Sequence, residues 1–191
     1  MVALTVYVEG GVLPHPNVDT LTLDNSDRLR RSFHTFFSKL LSPQDTVDIK
    51  VLPGSSDRQS AKFFREHTTS SIDKQVVLFV DLEKAPKERK VRIDELELNG
   101  SEDRVYFMVQ EMEAWFIAQP EIFTPFADTE GYERKRPDAE IPDNSLLKNK
   151  HPETIVKPSE KLDTIFGQHF AIQKKAGGKL KPAAYKKLKH S

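Results

Sequence analysis

Three short apolar runs separated by two amphipathic stretches constrain the fold of this chain more than any other feature of its sequence. Residues 4–8, 47–51 and 76–80 are rich in β-branched and aromatic side chains, and each run has the length of a strand. Between them, apolar residues recur at helical spacing, and Ser56 followed by Gln59 has the pattern of a helix capping box. Strand, helix, strand, helix, strand predicts a parallel sheet with helices packed against it.

The rest of the chain is expected to add one more strand and then less regular structure. Residues 105–109 predict a fourth strand, and the helical segment after it is expected to end near Pro120. We therefore predict an α/β domain over 1–128, with a parallel sheet of about four strands flanked by helices. A linker or long loop over 129–157 and a small basic C-terminal extension over 158–191 are expected to follow it.

Two local expectations accompany this outline. Asp24, Asn25 or Ser26 is expected to cap the first helix, because these residue types accept hydrogen bonds from the orphan N–H groups of a helix start. The strongly charged stretch 83–103 is interpreted as an excursion over the surface.

The composition excludes several classes of protein. The absence of cysteine among 191 residues removes disulfides, thiolate nucleophiles and Cys-ligated zinc. The first residues lack the basic n-region of a signal peptide, and the densest apolar run, 76–80, is too short to span a bilayer. We therefore expect a cytoplasmic protein with no membrane partner. No Walker loop, dinucleotide fingerprint, Ser–His–acid grouping or His-rich metal spacing is present.

Three carboxylates stand directly after predicted strands. Glu9 follows the first strand, Asp81 follows the third, and Glu83 comes two residues later. In an extended backbone, residues two apart project to the same side, so Asp81 and Glu83 are expected to converge. If the first and third strands are neighbours, all three acids meet at the carboxyl edge of the sheet, where ligands bind in open parallel sheets. Such a group predicts a Mg²⁺ (or Mn²⁺) site; the alternative is three ordinary loop residues.

A second candidate element is the Gly54-Ser55-Ser56-Asp57-Arg58 turn between a strand and a helix. Backbone N–H groups and the positive end of the helix dipole favour an anion there, with Arg58 adding a bidentate contact to phosphate. The alternative is a well-capped helix with nothing bound.

Two further acids, Glu111 and Glu113, lie just after the predicted fourth strand. One of them is expected either to complete the metal site or act as a base, or else to serve the N-terminus of a helix. Their neighbours Met112, Trp115 and Phe116 are expected to belong to the core.

The end of the chain is basic although the formal net charge is +0. No Asp or Glu follows Asp163, whereas seven lysines do. Such a tail is suited to contact a phosphate backbone, and Tyr185 within it favours a nucleic-acid contact. The alternative is a solvated basic terminus.

Several of these residues lie in blocks that resemble an uncharacterised bacterial family with a Toprim-like fold. The blocks are Val6-Tyr7-Val8-Glu9-Gly10-Gly11, Val80-Asp81-Leu82-Glu83 and Met108-Val109-Gln110-Glu111-Met112-Glu113-Ala114-Trp115-Phe116. The Gly54–Arg58 turn resembles the family's glycine-serine-arginine turn, and Tyr185, Lys187 and His190 resemble its C-terminal motif. Members of that family are often encoded beside an AAA or ABC-type ATPase, in what look like anti-phage defence loci.

The resemblance implies a role for each matching residue. Glu9 would be the Toprim glutamate, acting as general acid/base or metal ligand, and Asp81 with Glu83 would be the acidic pair that holds magnesium. Glu113 is added as a fourth candidate catalytic acid. The residues assigned to phosphate binding are Gly10, Gly11, Ser55, Ser56, Arg58, Tyr185, Lys187 and His190.

This sequence departs from the family pattern in two places. The second member of the acidic pair is Glu83 rather than the usual Asp, which changes the reach of its side chain. The family usually continues with a helix beyond the position of Ser191, so we expect either a partner that completes the structure or a shortened form.

Two functional hypotheses follow. The first is a metal-dependent nuclease that hydrolyses RNA or DNA as the effector of an ATPase-linked defence system. The alternative is a catalytically silent binding or regulatory module that docks on a partner ATPase. A toxin-like phosphotransfer activity is a third option. The choice between RNA and DNA, the number of metal ions and the oligomeric state stay open.

Overall fold

The computed structural model describes residues 2–42, 46–70, 75–172 and 181–182. The described residues divide into two compact units. The first unit lies within residues 1–82 and 87–108, and the second within 83–86 and 109–191.

The first unit is built on a four-stranded sheet in which every neighbouring pair of strands is parallel. Its strands are β1 (Val2–Val8), β2 (Val47–Pro53), β3 (Gln75–Asp81) and β4 (Val105–Met108), in the order β2-β1-β3-β4. All four coincide closely with the predicted strands. The expected α/β fold with a parallel sheet flanked by helices is therefore confirmed, and it agrees with a Toprim-like architecture.

Helices cover both faces of this sheet. The helix α1 (Thr20–Leu40) packs Phe33, Phe36 and Phe37 against Phe79 of β3. The helix α2 (Asp57–Ser70) belongs to the buried cluster that includes Leu78, the residue before Phe79. Successive strand residues point to opposite faces, so the two helices lie on opposite sides of β3.

The expected start of α1 is wrong. The helix begins at Thr20, because the side chain of Asp19 accepts a hydrogen bond from the Thr22 N–H at 2.9 Å and caps it there. Ser26, one of the predicted caps, lies inside the helix and is buried.

The charged stretch after β3 is not a mere surface excursion. It contains the helix α3 (Arg89–Glu95), and Ile93, Leu96 and Leu98 are each at most 2% exposed in the core of the first unit. Polar residues dominate the stretch in number, but its few apolar residues are the ones that pack.

The second unit contains three helices and three short antiparallel strands among its described residues. The helices are α4 (Glu113–Ile117), α5 (Phe123–Thr129) and α6 (Pro158–His169). The strands are β5 (Tyr132–Arg134), β6 (Phe170–Ile172) and β7 (Lys181–Pro182), in the order β5-β6-β7. Phe123, Leu162, Ile165, Phe166 and Phe170 are at the centre of its core.

The segment 129–157, predicted as a linker or long loop, is mostly irregular and lies within the second unit. It carries β5 and contributes Ile141, Leu147 and Ile155 to the buried core of that unit. Much of the predicted basic extension, 158–191, falls outside the described residues. Within the described part of the chain, no helix is both long and apolar enough to cross a membrane.

Candidate active site

The centre of the sheet brings two of the predicted acids together. β1 and β3 are direct neighbours, with Val8 opposite Phe79 in the register. Glu9 leaves β1 one residue later, and Asp81 is the last residue of β3. The Glu9 Oε2 atom accepts a hydrogen bond from the backbone N–H of Asp81 at 3.3 Å. Both side chains are half-buried, so they lie at the rim of the sheet within reach of solvent.

The strand order makes this rim the expected ligand site of the fold. From β1 the chain crosses to β2 on one side, and it then returns past β1 to β3 on the other. The direction of winding therefore changes between β1 and β3, and in open parallel sheets a crevice forms at this point beyond the carboxyl ends of the strands. Glu9 and Asp81 lie at the ends of the two strands between which the winding changes.

Gly10 and Gly11 turn the chain sharply after Glu9. Both have positive φ angles, 85° and 63°, a region that residues with a side chain rarely adopt. A Cβ atom on Gly11 would also meet Pro53 and Ser26 at 3.1 to 3.2 Å. The pair therefore has a conformational reason to be glycine, and their predicted contact with phosphate stays a prediction.

The Gly54–Arg58 turn has the expected position between β2 and α2. Ser55 is exposed with a φ of 63°, and Ser56 Oγ accepts a hydrogen bond from the Gln59 N–H at 3.2 Å, as a helix cap does. Asp57 is bound by the guanidinium of Arg92, which is 5% exposed. The Ser56 cap and the Asp57–Arg92 ion pair both stabilise the start of α2, and neither of them requires a bound anion.

Arg58 lines a small cavity in the first unit. The cavity has a volume of about 120 Å³, and the other lining residues are Arg65, Glu95, Leu96 and Glu97. Arg65 pairs with Glu97 at 3.2 Å, and Glu95 pairs with Arg92 at the same distance. The two acids that line the cavity with Arg58 are thus each paired with another arginine.

Glu83 does not have the extended backbone from which its convergence with Asp81 was predicted. Its φ is 54°, in the left-handed region, and its N–H donates to the Gln110 carbonyl at 2.6 Å. The rule that residues two apart project to the same side holds only for extended chain, so it does not apply at this position. Glu83 and Gln110 belong to the second unit.

The two acids after β4 have different surroundings within the second unit. Glu111 Oε2 accepts a hydrogen bond from the Ser159 N–H at 2.7 Å, so this carboxylate caps the N-terminus of α6. Glu113 is the first residue of α4 and its side chain is only 2% exposed. A carboxylate so deeply buried is costly to desolvate, which keeps Glu113 a candidate functional acid.

Met112, Trp115 and Phe116 were expected to belong to the core, and Phe116 does pack against the core of the second unit. All three are half-buried, whereas Glu113, Ala114 and Ile117 are the buried residues of α4. Apolar character alone therefore did not identify which residues of α4 are most buried. The predicted C-terminal residues Tyr185, Lys187 and His190 lie outside the described residues.

Two titratable groups that the sequence analysis did not single out have shifted pKa values. Burial and the nearby Glu66 raise the pKa of Tyr7, whose hydroxyl lies 3.2 Å from His67 Nδ1. Burial, and then Arg134, Arg136 and Lys135, lower the pKa of His169. Both shifts favour the neutral form in the folded chain. Tyr7 stands in a block that carries the family resemblance, but neither Tyr7 nor His169 was assigned a functional role from the sequence.

The acids that fit a divalent cation are Glu9 and Asp81 in the first unit. Across residues 2–42, 46–70, 75–172 and 181–182, no group of three or more His, Asp or Glu side chains is placed to hold a metal ion. Two carboxylates are nevertheless a normal protein contribution to a Mg²⁺ site, since this ion keeps several waters and binds substrate phosphates directly. Glu9 and Asp81 would be the two carboxylates of such a site, and water and substrate would supply the remaining ligands.

Fold and site together define an α/β protein with two acids, Glu9 and Asp81, at the switch point of a parallel sheet. Comparison with known proteins adds no closer assignment: no family model matches the chain, and no curated protein or solved structure shows significant similarity to it.

Proposed function

We propose that this chain is a metal-dependent, Toprim-like nuclease that hydrolyses phosphodiester bonds in RNA or DNA. The observation that carries the proposal is the hydrogen bond between Glu9 Oε2 and the Asp81 N–H. It joins the Glu9 carboxylate to the backbone of Asp81, and this contact between neighbouring parallel strands lies at the switch point, where ligand sites of such sheets form. Paired acids at this position are suited to a hard divalent cation and, through it, to phosphate.

Each residue has a proposed role. Asp81 and Glu9 hold Mg²⁺ or Mn²⁺, and when bound this ion supplies Lewis-acid stabilisation of charge on the phosphate. Glu9 also acts as the proton-transfer group, because its carboxylate lies at the rim and reaches solvent. Arg58 and the predicted tail residues Lys187 and His190 position phosphates. Glu83 and Glu113, which belong to the second unit, remain candidate acids on sequence grounds.

The wider setting of the activity comes from the family resemblance alone. We propose a cytoplasmic effector encoded beside an AAA or ABC-type ATPase in a defence locus. Docking on such an ATPase would control access to nucleic acid.

A specific observation favours the alternative, a catalytically silent binding or regulatory module that docks on the ATPase. The left-handed backbone at Glu83 differs from the extended geometry that would align Glu83 with Asp81. Since Glu83 occupies the place of an Asp in the resembling family, an altered acidic pair fits a site that binds a ligand without cleaving it.

A cleavage assay separates the two functions. The wild type, Glu9→Gln, Asp81→Asn and the control Asp48→Asn are incubated with labelled single- and double-stranded RNA and DNA, with Mg²⁺ or Mn²⁺ or with a chelator. Asp48 is an exposed acid on β2, so its substitution removes an equal charge away from the crevice. We expect metal-dependent cleavage by the wild type and the control and its loss in both site variants. Cleavage that survives both site substitutions, or none by the folded wild type, would contradict the nuclease.

A further inference from the structure

The carbonyl oxygen of Val8, the residue directly before Glu9, accepts two hydrogen bonds from the β2–α2 connection. The Gly54 N–H donates at 3.0 Å and the Ser60 hydroxyl at 2.9 Å. Ser60 Oγ also lies 2.8 Å from the Ser56 carbonyl, so its one hydrogen is shared between two acceptors. Val8 and Ser60 are both 0% exposed, so these hydrogen bonds are shielded from bulk solvent.

Gly54 makes this close approach possible. A Cβ atom at position 54 would lie 2.2 Å from Ser60 Oγ and 2.6 Å from Ser60 Cα. Backbone atoms are involved, so a flexible side chain cannot relieve the clash. The first turn of α2 is therefore seated directly on the end of β1 through Gly54.

We propose that Ser60 is a positioning residue for the Glu9 carboxylate, an inference that rests on the proposed function. The carbonyl oxygen of the Val8–Glu9 peptide accepts two hydrogen bonds, so the orientation of this peptide plane is fixed. The Glu9 side chain therefore leaves the strand in a fixed direction. These two hydrogen bonds, which we call the clamp at Val8, thus set the position at which Glu9 Oε2 accepts the hydrogen bond from the Asp81 N–H.

A purely structural role for Ser60 predicts something different. Serine hydroxyls inside helices often bond the carbonyl four residues earlier, and losing such a bond affects the stability of the helix only. Thr69 is the matched case, because its Oγ1 bonds the Arg65 carbonyl at 2.8 Å in the same helix. The Thr69→Ala variant removes that bond from the far end of α2, which leaves the Val8 carbonyl bonded as before.

The readout is the amide of Asp81, since this N–H donates to the Glu9 carboxylate. Hydrogen exchange of that amide is followed by NMR, without metal, in the wild type, Ser60→Ala, Thr69→Ala and Glu9→Ala. Glu9→Ala gives the exchange rate when the carboxylate is absent. We expect Ser60→Ala to move the Asp81 rate towards that value and Thr69→Ala to leave it at the wild-type rate. Ser60→Cys, which keeps the volume but donates weakly, is expected to lie between and serves if Ser60→Ala does not fold.

Mn²⁺ titration of the same variants connects the clamp to the proposed function. Loss of a group that orients a metal ligand typically lowers metal affinity about 10- to 100-fold, and we expect Ser60→Ala to lose about 10-fold. An unchanged Asp81 exchange rate in Ser60→Ala, with a raised rate in Glu9→Ala, would overturn the inference even if Mn²⁺ binds. Absence of Mn²⁺ binding by the wild type would instead count against the proposed function, while the exchange rates still decide whether Ser60 positions Glu9.

Discussion

The N–H of Glu83 donates a hydrogen bond to the carbonyl of Gln110 at 2.6 Å, and both residues have left-handed backbones, with φ angles of 54° and 64°. For a residue with a side chain this conformation costs on the order of 1–2 kcal/mol. Residues held in this way are concentrated at functional sites, because surrounding structure must enforce them. Glu83, predicted from sequence as a catalytic acid, is one of them.

The strain at Glu83 is testable by two substitutions that remove the same carboxylate. Glu83→Gly relieves the left-handed strain, whereas Glu83→Ala keeps a Cβ atom and retains it. We expect the Gly variant to have a free energy of unfolding about 1 kcal/mol higher than the Ala variant in urea titrations. Equal stabilities would show that the backbone at Glu83 is not left-handed in solution.

Close packing of α2 on β1 predicts a large effect at Gly54. Its Cβ atom would lie 2.2 Å from Ser60 Oγ, so Gly54→Ala is expected to lower the free energy of unfolding by roughly 3 kcal/mol, as overpacking of a core does. Gly131→Ala is the control, because Gly131 has a φ of 70° but open space around it. It should lose only about 1 kcal/mol, from backbone strain. Thermal and urea unfolding of both variants measure the difference, and similar losses would refute the close contact.

Glu111 is predicted to serve stability rather than metal binding. Its carboxylate accepts the Ser159 N–H at the start of α6, so Glu111→Ala should lower the free energy of unfolding by about 1 kcal/mol, as loss of a helix cap does. The affinity for Mn²⁺ should stay at the wild-type value. A large fall in that affinity, measured by calorimetry, would move Glu111 from the helix cap to the metal site.

The lowered pKa of the buried His169 leads us to expect that the free energy of unfolding falls in acid. Its pKa is lowered in the fold, chiefly by burial and then by Arg134, Arg136 and Lys135, so the unfolded chain takes up a proton at a higher pH than the folded one. Its contribution is fully present above the ordinary value of 6.5 and declines as the pH falls below it. Urea unfolding between about pH 8 and about pH 5 should show this slope, and His169→Gln should flatten it. The same substitution at the exposed His34 is the control, and an equal effect there would contradict the assignment.

The sequence predicted the secondary structure well where the residues of one short segment carry the information. The four strands of the first unit are short β-branched runs, and the helical stretches between the first three predict that these strands run parallel. Their spatial order, β2-β1-β3-β4, comes from the structure. The strands β5 and β6 went unpredicted, because each has only three residues and their pairing joins Arg134 to Phe170 across long sequence separation. Such pairing depends on tertiary contacts rather than on local propensity.

The candidate site was predictable to a similar degree. Glu9 and Asp81 were found because each follows a strand, and the neighbouring positions of β1 and β3 bring them together. The left-handed backbone of Glu83 has no sequence signal, since a glycine is what usually marks that conformation. Ser60 was equally hidden, because an ordinary helical serine becomes a clamp only where Gly54 lets it approach Val8.

Calorimetric titration of Mn²⁺ tests the central claim most directly, that Glu9 and Asp81 form one cation site. The proteins are the wild type, Glu9→Gln, Asp81→Asn and the control Asp48→Asn, each first shown to be folded by circular dichroism. We predict binding by the wild type and the control, and a loss of at least about tenfold in affinity in each site variant. Wild-type affinity in both site variants, or no binding by the folded wild type, would contradict the account.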